Sequence, residues 1–111
     1  MTREELLPQE LLEQIPALDS DEETTANEII IKVKYFLSNF TWLVAKCETR
    51  GDDVRFYGYV INHSNPHFSE WGFFKLSELM KLNIENAIWV ERDIFFKECT
   101  FGEYKINEGL T

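Results

Sequence analysis

His63 and His67 stand four residues apart, a separation that brings two imidazoles onto one helix face and suits a metal ion. The neighbouring Asn62, Ser64, Asn65 and Pro66 disfavour a helix, so the spacing loses its geometric meaning. A closed tetrahedral zinc site would need two further ligands, for which Glu70, Cys47 and Cys99 are the candidates. The expectation is a solvated loop with two titrating histidines, no metal and no cofactor. Glu70, Glu91 and Asp93 sit beside aromatic segments, as the paired acids of glycosidases do. General acid–base work needs two carboxyls a few ångströms apart in a pocket that splits their pKa values, and this spacing does not supply that. Glu91-Arg92-Asp93 reads more simply as a charged corner. The chain has no GxGxxG, P-loop, HExxH or Ser–His–Asp arrangement. The expectation is a protein that is not an enzyme, with a small enzyme built on clustered carboxylates as one alternative.

Arg50-Gly51-Asp52 spells an adhesion tripeptide, but Arg-Gly-Asp-Asp is what a hairpin turn asks for, since Gly accepts positive φ. Lys32, Lys34 and Lys46 could share a hairpin face with Trp42 and Phe36, which would resemble a stacking platform for single-stranded nucleic acid. The bland account is a solvent-facing sheet whose lysine stems cover aromatics, and net charge disfavours direct nucleic-acid binding. The mirror alternative is a DNA mimic.

Charge distribution narrows the choice. The net charge is −9, and residues 1–28 hold nine acids against the single base Arg3. Residues 29–111 hold eleven acids against ten bases, so the body is nearly neutral. A mimic needs regularly spaced carboxylates on a rigid surface, whereas the acid density here lies in the stretch from Asp19 to Glu28. Two cysteines outside any CxxC pair are read as free, buried thiols. No secretory leader and no apolar run of membrane-spanning length is seen, so a cytoplasmic location is expected.

The elements that would position these residues follow from periodicity. Leu6, Leu7, Leu11, Leu12 and Ile15 form a helical stripe, with a helix expected from Pro8 to Gln14 and ended by Pro16. Residues 19–28 read as a solvated linker. Strands are expected over 29–37, 40–48, 54–62, 68–76, 84–90 and 94–96, with Ser38-Asn39 and Arg50–Asp53 as turns. Ser77 is the expected N-cap of a short helix, Glu78 to Leu82, and residues 102–111 read as a frayed polar tail. Lys32 and Lys34 alternate with Val33, Tyr35 and Leu37, the pattern of a sheet wet on one side. The fold class is α+β: an antiparallel meander of five to six strands with two short helices. Residues 1–28 form an acidic arm and 29–111 a single domain.

Three runs carry a family resemblance: Phe56-Tyr-Gly-Tyr-Val60, Glu70-Trp-Gly-Phe-Phe-Lys-Leu-Ser-Glu-Leu79, and Glu91-Arg-Asp93 followed by Phe95. Leu6-Leu7, Leu11-Leu12, Ile15-Pro16 and Leu18 add an "LL…LLxxIPxL" arm. Together they resemble a family of small uncharacterised bacterial proteins, a domain of unknown function common on plasmids, phages and integrative elements. The loop from Asn62 to His67 departs from that pattern. The resemblance implies an accessory or anti-defence factor of a mobile element, and it brings no catalytic residues. Gly58 and Gly72, inside strands, suggest a bulge or a close backbone approach.

The chain holds nine Phe, four Tyr and three Trp, more than a small core needs. Trp42, Tyr57, Tyr59, Trp71 and Trp89 are the expected partner-binding aromatics, since Trp and Tyr are enriched at binding hot spots. Alternation sets Tyr57 and Tyr59 opposite Phe56 and Val60, so one pair is expected inside and the other out. Asp19, Asp21, Glu22 and Glu23 are expected to steer the protein to a basic partner in a salt-dependent way. The expected function is a non-enzymatic protein-binding factor of a mobile element or phage, monomeric or weakly dimeric and not bound to membrane.

Overall fold

The turn at Gly51, where φ is +59°, joins the two longest strands of the computed structural model, which describes residues 1–20 and 24–110. In chain order the elements are α1 (Arg3–Leu6), α2 (Gln9–Leu12), β1 (Ile30–Ile31), β2 (Val33–Leu37), β3 (Phe40–Arg50), β4 (Asp53–Asn62), β5 (Glu70–Lys75), α3 (Leu76–Lys81), β6 (Asn83–Ile84), β7 (Ile88–Trp89), β8 (Glu91–Arg92), β9 (Cys99–Thr100) and α4 (Phe101–Asn107). Five strands form one antiparallel sheet in the order β5-β4-β3-β2-β8, and β1–β9 and β6–β7 are separate two-stranded ribbons. The fold is α+β, with β2 to β5 a meander. Among the described residues no helix is long and apolar enough to cross a membrane.

Both faces of the sheet are covered, which corrects the expectation of one wet face. One core gathers Val33, Tyr35, Trp42, Val44 and Phe56 from the strands, Leu6, Leu7 and Ile15 from the N-terminal arm, and Leu76 and Leu79 from α3. The other gathers Ile31, Leu43 and Ile61 beneath Phe101 and Tyr104 of α4. The stripe of leucines at the N-terminus therefore docks on its own sheet. Cys47 belongs to the first core and Cys99 packs against the second, so the two free thiols lie on opposite faces. Burial pushes both thiols up.

The second covering layer comes from the stretch expected to fray. Thr100 and Glu103 form a capping box, with Glu103 N–H donating to Thr100 Oγ1 at 3.1 Å and Thr100 N–H to Glu103 Oε1 at 2.9 Å. That start signal precedes Phe101 and Tyr104, whose three-residue spacing buries both. The same device, Thr2 with Glu5, starts α1. Pro8 then caps α2, so the arm holds two short helices in place of one from Pro8 to Gln14.

Three further corrections concern strands. Lys32 interrupts the strand expected over 29–37, giving its N–H to the Val44 carbonyl at 2.8 Å, and sends Ile31 to the opposite core from Val33. Residues 84–90 turn back on themselves at Glu85 and Asn86, both at positive φ, instead of running extended. Glu91 and Arg92 pair with Phe36 and Tyr35 as β8, where a corner was expected, while Ile94 and Phe95 form the turn. α3 starts at Leu76, and Ser77 is not its cap. The Asp53 carboxylate reaches across to take the Ser77 hydroxyl at 2.6 Å and its N–H at 3.1 Å.

A register shift between Val44 and Lys46 marks a bulge in β3 opposite β4. Beside it a Cβ on Gly58 would sit 1.8 Å from the Leu43 carbonyl oxygen, so this strand position excludes any side chain. Gly72, its partner in β5, has open space where a Cβ would project.

Candidate interaction surface

The residues with catalytic or metal-binding chemistry do not converge. His63 is exposed, and its Nε2 lies 2.9 Å from Thr41 Oγ1; His67 is exposed in a 3-10 turn. Among the described residues no three His, Cys, Asp or Glu side chains gather where they could hold a metal ion. Glu70 lies on β5 and Glu91 on β8, the two opposite edges of the sheet. Four strand spacings separate them, on the order of 19 Å, beyond any carboxylate pair acting on one bond. Asp93 accepts the Phe95 N–H at 3.0 Å and stands 3.9 Å from Lys34 Nζ.

The stacking platform is not assembled either. Trp42 sits opposite Tyr35 in the first core, whereas Lys34 sits opposite Leu43 on the other face. Lys32 pairs with Glu98 at 2.8 Å, and Lys46 donates to the Ser20 carbonyl at 2.8 Å. Lys34 lies 3.8 Å from Glu108 and 5.3 Å from the Tyr104 ring centroid. Burial alone would depress the Lys34 ammonium, but the Tyr104 hydroxyl and the two acids hold it above its usual range.

The five expected anchors separate into three groups. Trp42 is 7% exposed and belongs to the core, a correction to its assignment at the surface. Tyr59 and Trp71 are half-buried around Phe101, with ring centroids 4.7 and 4.9 Å from it. Tyr57 is half-buried too, stacked on Trp71 at 5.8 Å. Phe56 is fully buried and Val60 half-buried against the first core, so alternation divides the two pairs between the faces but does not leave one pair inside and the other out, because both faces are covered. Trp89 alone of the three tryptophans is exposed, at 40%. Asp19 is exposed and lines a cleft with Glu48 and Thr49; Asp21, Glu22 and Glu23 lie outside the described residues.

Trp89 belongs to a projecting hairpin. β6 and β7 pair Asn83 with Trp89 and Ile84 with Ile88, so Ile84 and Ile88 share one face and Trp89 the other. Neither face is covered, since Ile84, Ile88 and Trp89 are all exposed. On one side Ile84 and Leu82 border an apolar cleft of about 400 Å³ with Phe40, whose ring stacks over Trp42 at 6.0 Å. On the other, Trp89 and Met80 border a cleft of about 300 Å³ that Leu6 and Leu79 also line. Phe40, Met80 and Leu82 are exposed as well, making an apolar ridge with Glu85 at its tip and Glu91 just beyond its base.

Residues 6–105 match the family described as protein of unknown function DUF2958. The chain belongs to that family. No curated protein and no solved structure matches it. The DUF2958 match spans both cores and the whole ridge, so the hairpin is part of the domain. Sequence reasoning found Trp89 but missed Phe40, Met80, Leu82, Ile84 and Ile88. The usable signal was the polar Glu85-Asn86 pair between two isoleucines, a turn with apolar flanks too short to build a core strand.

Proposed function

We propose that the protein is a non-enzymatic protein-binding module, an accessory or inhibitory factor of a mobile element, that docks a partner on the 83–89 hairpin. The observation that supports this reading is the hairpin itself. Its Ile84, Ile88 and Trp89 side chains are exposed although both cores are complete without them. Burying such a ridge on a partner releases apolar surface from water, and tryptophan, here exposed at the lip of a cleft, is among the side chains most enriched at binding hot spots. The acids of the arm, with Glu85 and Glu91, favour a partner whose rim is basic, and the net charge of −9 raises its on-rate by long-range attraction. The mobile-element context rests on the resemblance of the arm and the aromatic runs. The experiment is affinity capture from bacterial lysate with the wild-type chain and an Ile88→Asp, Trp89→Ala variant side by side. One protein enriched by the wild type and lost with the variant, at unchanged melting temperature, supports the reading. Equal enrichment by both, or empty captures, contradicts it.

A further inference from the structure

A second surface lies at the far edge of the sheet from the hairpin-proximal strand β8. The order β5-β4-β3-β2-β8 leaves β5 with a paired strand on one side only. An open edge pairs with any extended chain unless charges, proline, a bulge or a cover blunt it. The middle of β5, Trp71-Gly72-Phe73-Phe74, carries no charge and no proline, and the bulge of this sheet is in β3. On the face shared by Trp71, Phe73 and Lys75, Phe73 is 55% exposed.

The charges at the end of this edge are unusual. The register sets Arg55 of β4 directly opposite Lys75 of β5. Like charges in that position repel and weaken the pairing. On its other side Arg55 stands opposite Glu48, but Glu48 Oε2 is taken by Arg50 Nε at 2.7 Å. The Arg55 guanidinium leans instead over the Phe73 ring, 4.0 Å from its centroid, toward the open edge. Asp53, the acid that borders the same cleft of about 520 Å³, is committed to Ser77 and to the Val54 N–H. Among the described residues neither Arg55 nor Lys75 has a carboxylate oxygen within 4.0 Å. Among the described residues two adjacent cations thus stand at the end of an open strand edge with no carboxylate in ion-pair range, Asp53 feeling the Lys75 charge from farther off.

We propose that the outer edge of β5 accepts an extended peptide as an added strand, and that the peptide places an acidic side chain beside Lys75 and Arg55. Backbone N–H and C=O groups of the edge pair with the peptide, and its carboxylate relieves the like-charge pair. Because side chains alternate, the peptide residue two positions from the acid lies over the exposed face of Phe73, and an apolar residue fits there. The residue between them stands beside Phe74, whose ring is buried in the first core, and the residue beyond Phe73 meets Gly72, where nothing stands within 4 Å of a Cβ position. This surface does not depend on the hairpin, and the variants that test the two are separate.

The test uses the full chain, isotope-labelled, with two pools of short capped peptides randomised over Thr, Val, Ser and Tyr. One pool has a central Glu and the other a central Lys. The Glu pool is expected to bind at least about tenfold more tightly, the size of one charge-assisted contact, and to slow amide exchange along residues 71–74. Arg55→Glu with Lys75→Glu reverses the preference toward the Lys pool, and Lys75→Glu alone, at an exposed position, abolishes it without loss of folding. Equal binding of the pools, amide changes away from β5, no binding at millimolar peptide, or a concentration-dependent dimer occupying β5 each overturns the proposal.

Discussion

The Tyr35 hydroxyl donates a hydrogen bond to the Leu6 carbonyl at 2.7 Å. Tyr35 stands in β2, at the sheet's core face, and Leu6 is the last residue of α1, so the bond fastens the acidic arm to the sheet within an apolar interior. It also satisfies a helix-end carbonyl that has no partner of its own further along the turn. Tyr35→Phe is expected to cost about 1–3 kcal/mol, because it leaves that carbonyl buried and unpaired. A lower urea midpoint at unchanged slope is the measurement. Burial, opposed in part by the Arg92 charge, holds the Tyr35 phenol well above its usual range. The folded state thus favours the protonated phenol. Its contribution is complete below the unfolded pKa of about 10 and is lost as pH rises above that. Stability of the wild type therefore falls above pH 10 more steeply than that of Tyr35→Phe.

Asp53 gives a titration of the opposite sign. Its hydrogen bond from the Ser77 hydroxyl, with backbone donors from Val54 and Ser77, holds the carboxyl below its usual value. The stabilising interaction is present above the unfolded pKa of about 3.9 and is lost as pH falls through the folded value. Asp53→Ala, which removes the acceptor of the Ser77 N–H and hydroxyl in the first turn of α3, is expected to cost about 1 kcal/mol at neutral pH. The gap between the two melting temperatures should narrow in acid.

Gly58 and Gly72 face each other across β4 and β5 and make opposite predictions. Gly58→Ala drives a Cβ into the Leu43 carbonyl, which is backbone and cannot step aside, and is expected to abolish cooperative unfolding or lower stability by more than about 3 kcal/mol. Gly72→Ala meets open space and is expected to be neutral or to gain about 0.5–1 kcal/mol. Circular dichroism melts of both variants decide this.

How much of this was legible before the fold was known depends on where the signal lay. β2 to β5 and the turn at Gly51 follow from alternation and from a residue that accepts positive φ. α4 was hidden because its Gly102, Glu103, Lys105 and Asn107 look polar, while its informative residues, Thr100, Phe101, Glu103 and Tyr104, signal only as a capping box with a three-residue apolar spacing. With no second covering layer expected, the alternation of Lys32 and Lys34 with Val33, Tyr35 and Leu37 read as a sheet wet on one side. Trp42 was misplaced because strand parity alone cannot say which of two covered faces a residue joins. The Arg55–Lys75 opposition and the hairpin ridge are pairings between strands, and their register is not written in either strand alone.

The arm has to be tested by charge and not by length. Deleting residues 1–28 removes Leu6, Leu7 and Ile15 from the first core and is expected to leave an aggregating or unfolded remainder. Changing Asp19, Asp21, Glu22 and Glu23 to Asn or Gln leaves those apolar contacts in place, and also the capping box of Glu5. That variant is expected to keep its melting temperature and to flatten the salt dependence of partner association, read by stopped-flow between low and physiological salt.

The claim on which the account turns is that the hairpin ridge carries the binding energy, and titration calorimetry against the captured partner tests it most directly. Trp89→Ala is expected to weaken binding at least about 30-fold, the loss typical of a hot-spot side chain. Phe68→Ala and Phe95→Ala, at exposed aromatics elsewhere, are expected to change it by less than about twofold. Undiminished affinity for Trp89→Ala, or a loss that instead follows Phe68 or Phe95, would contradict the assignment of the ridge.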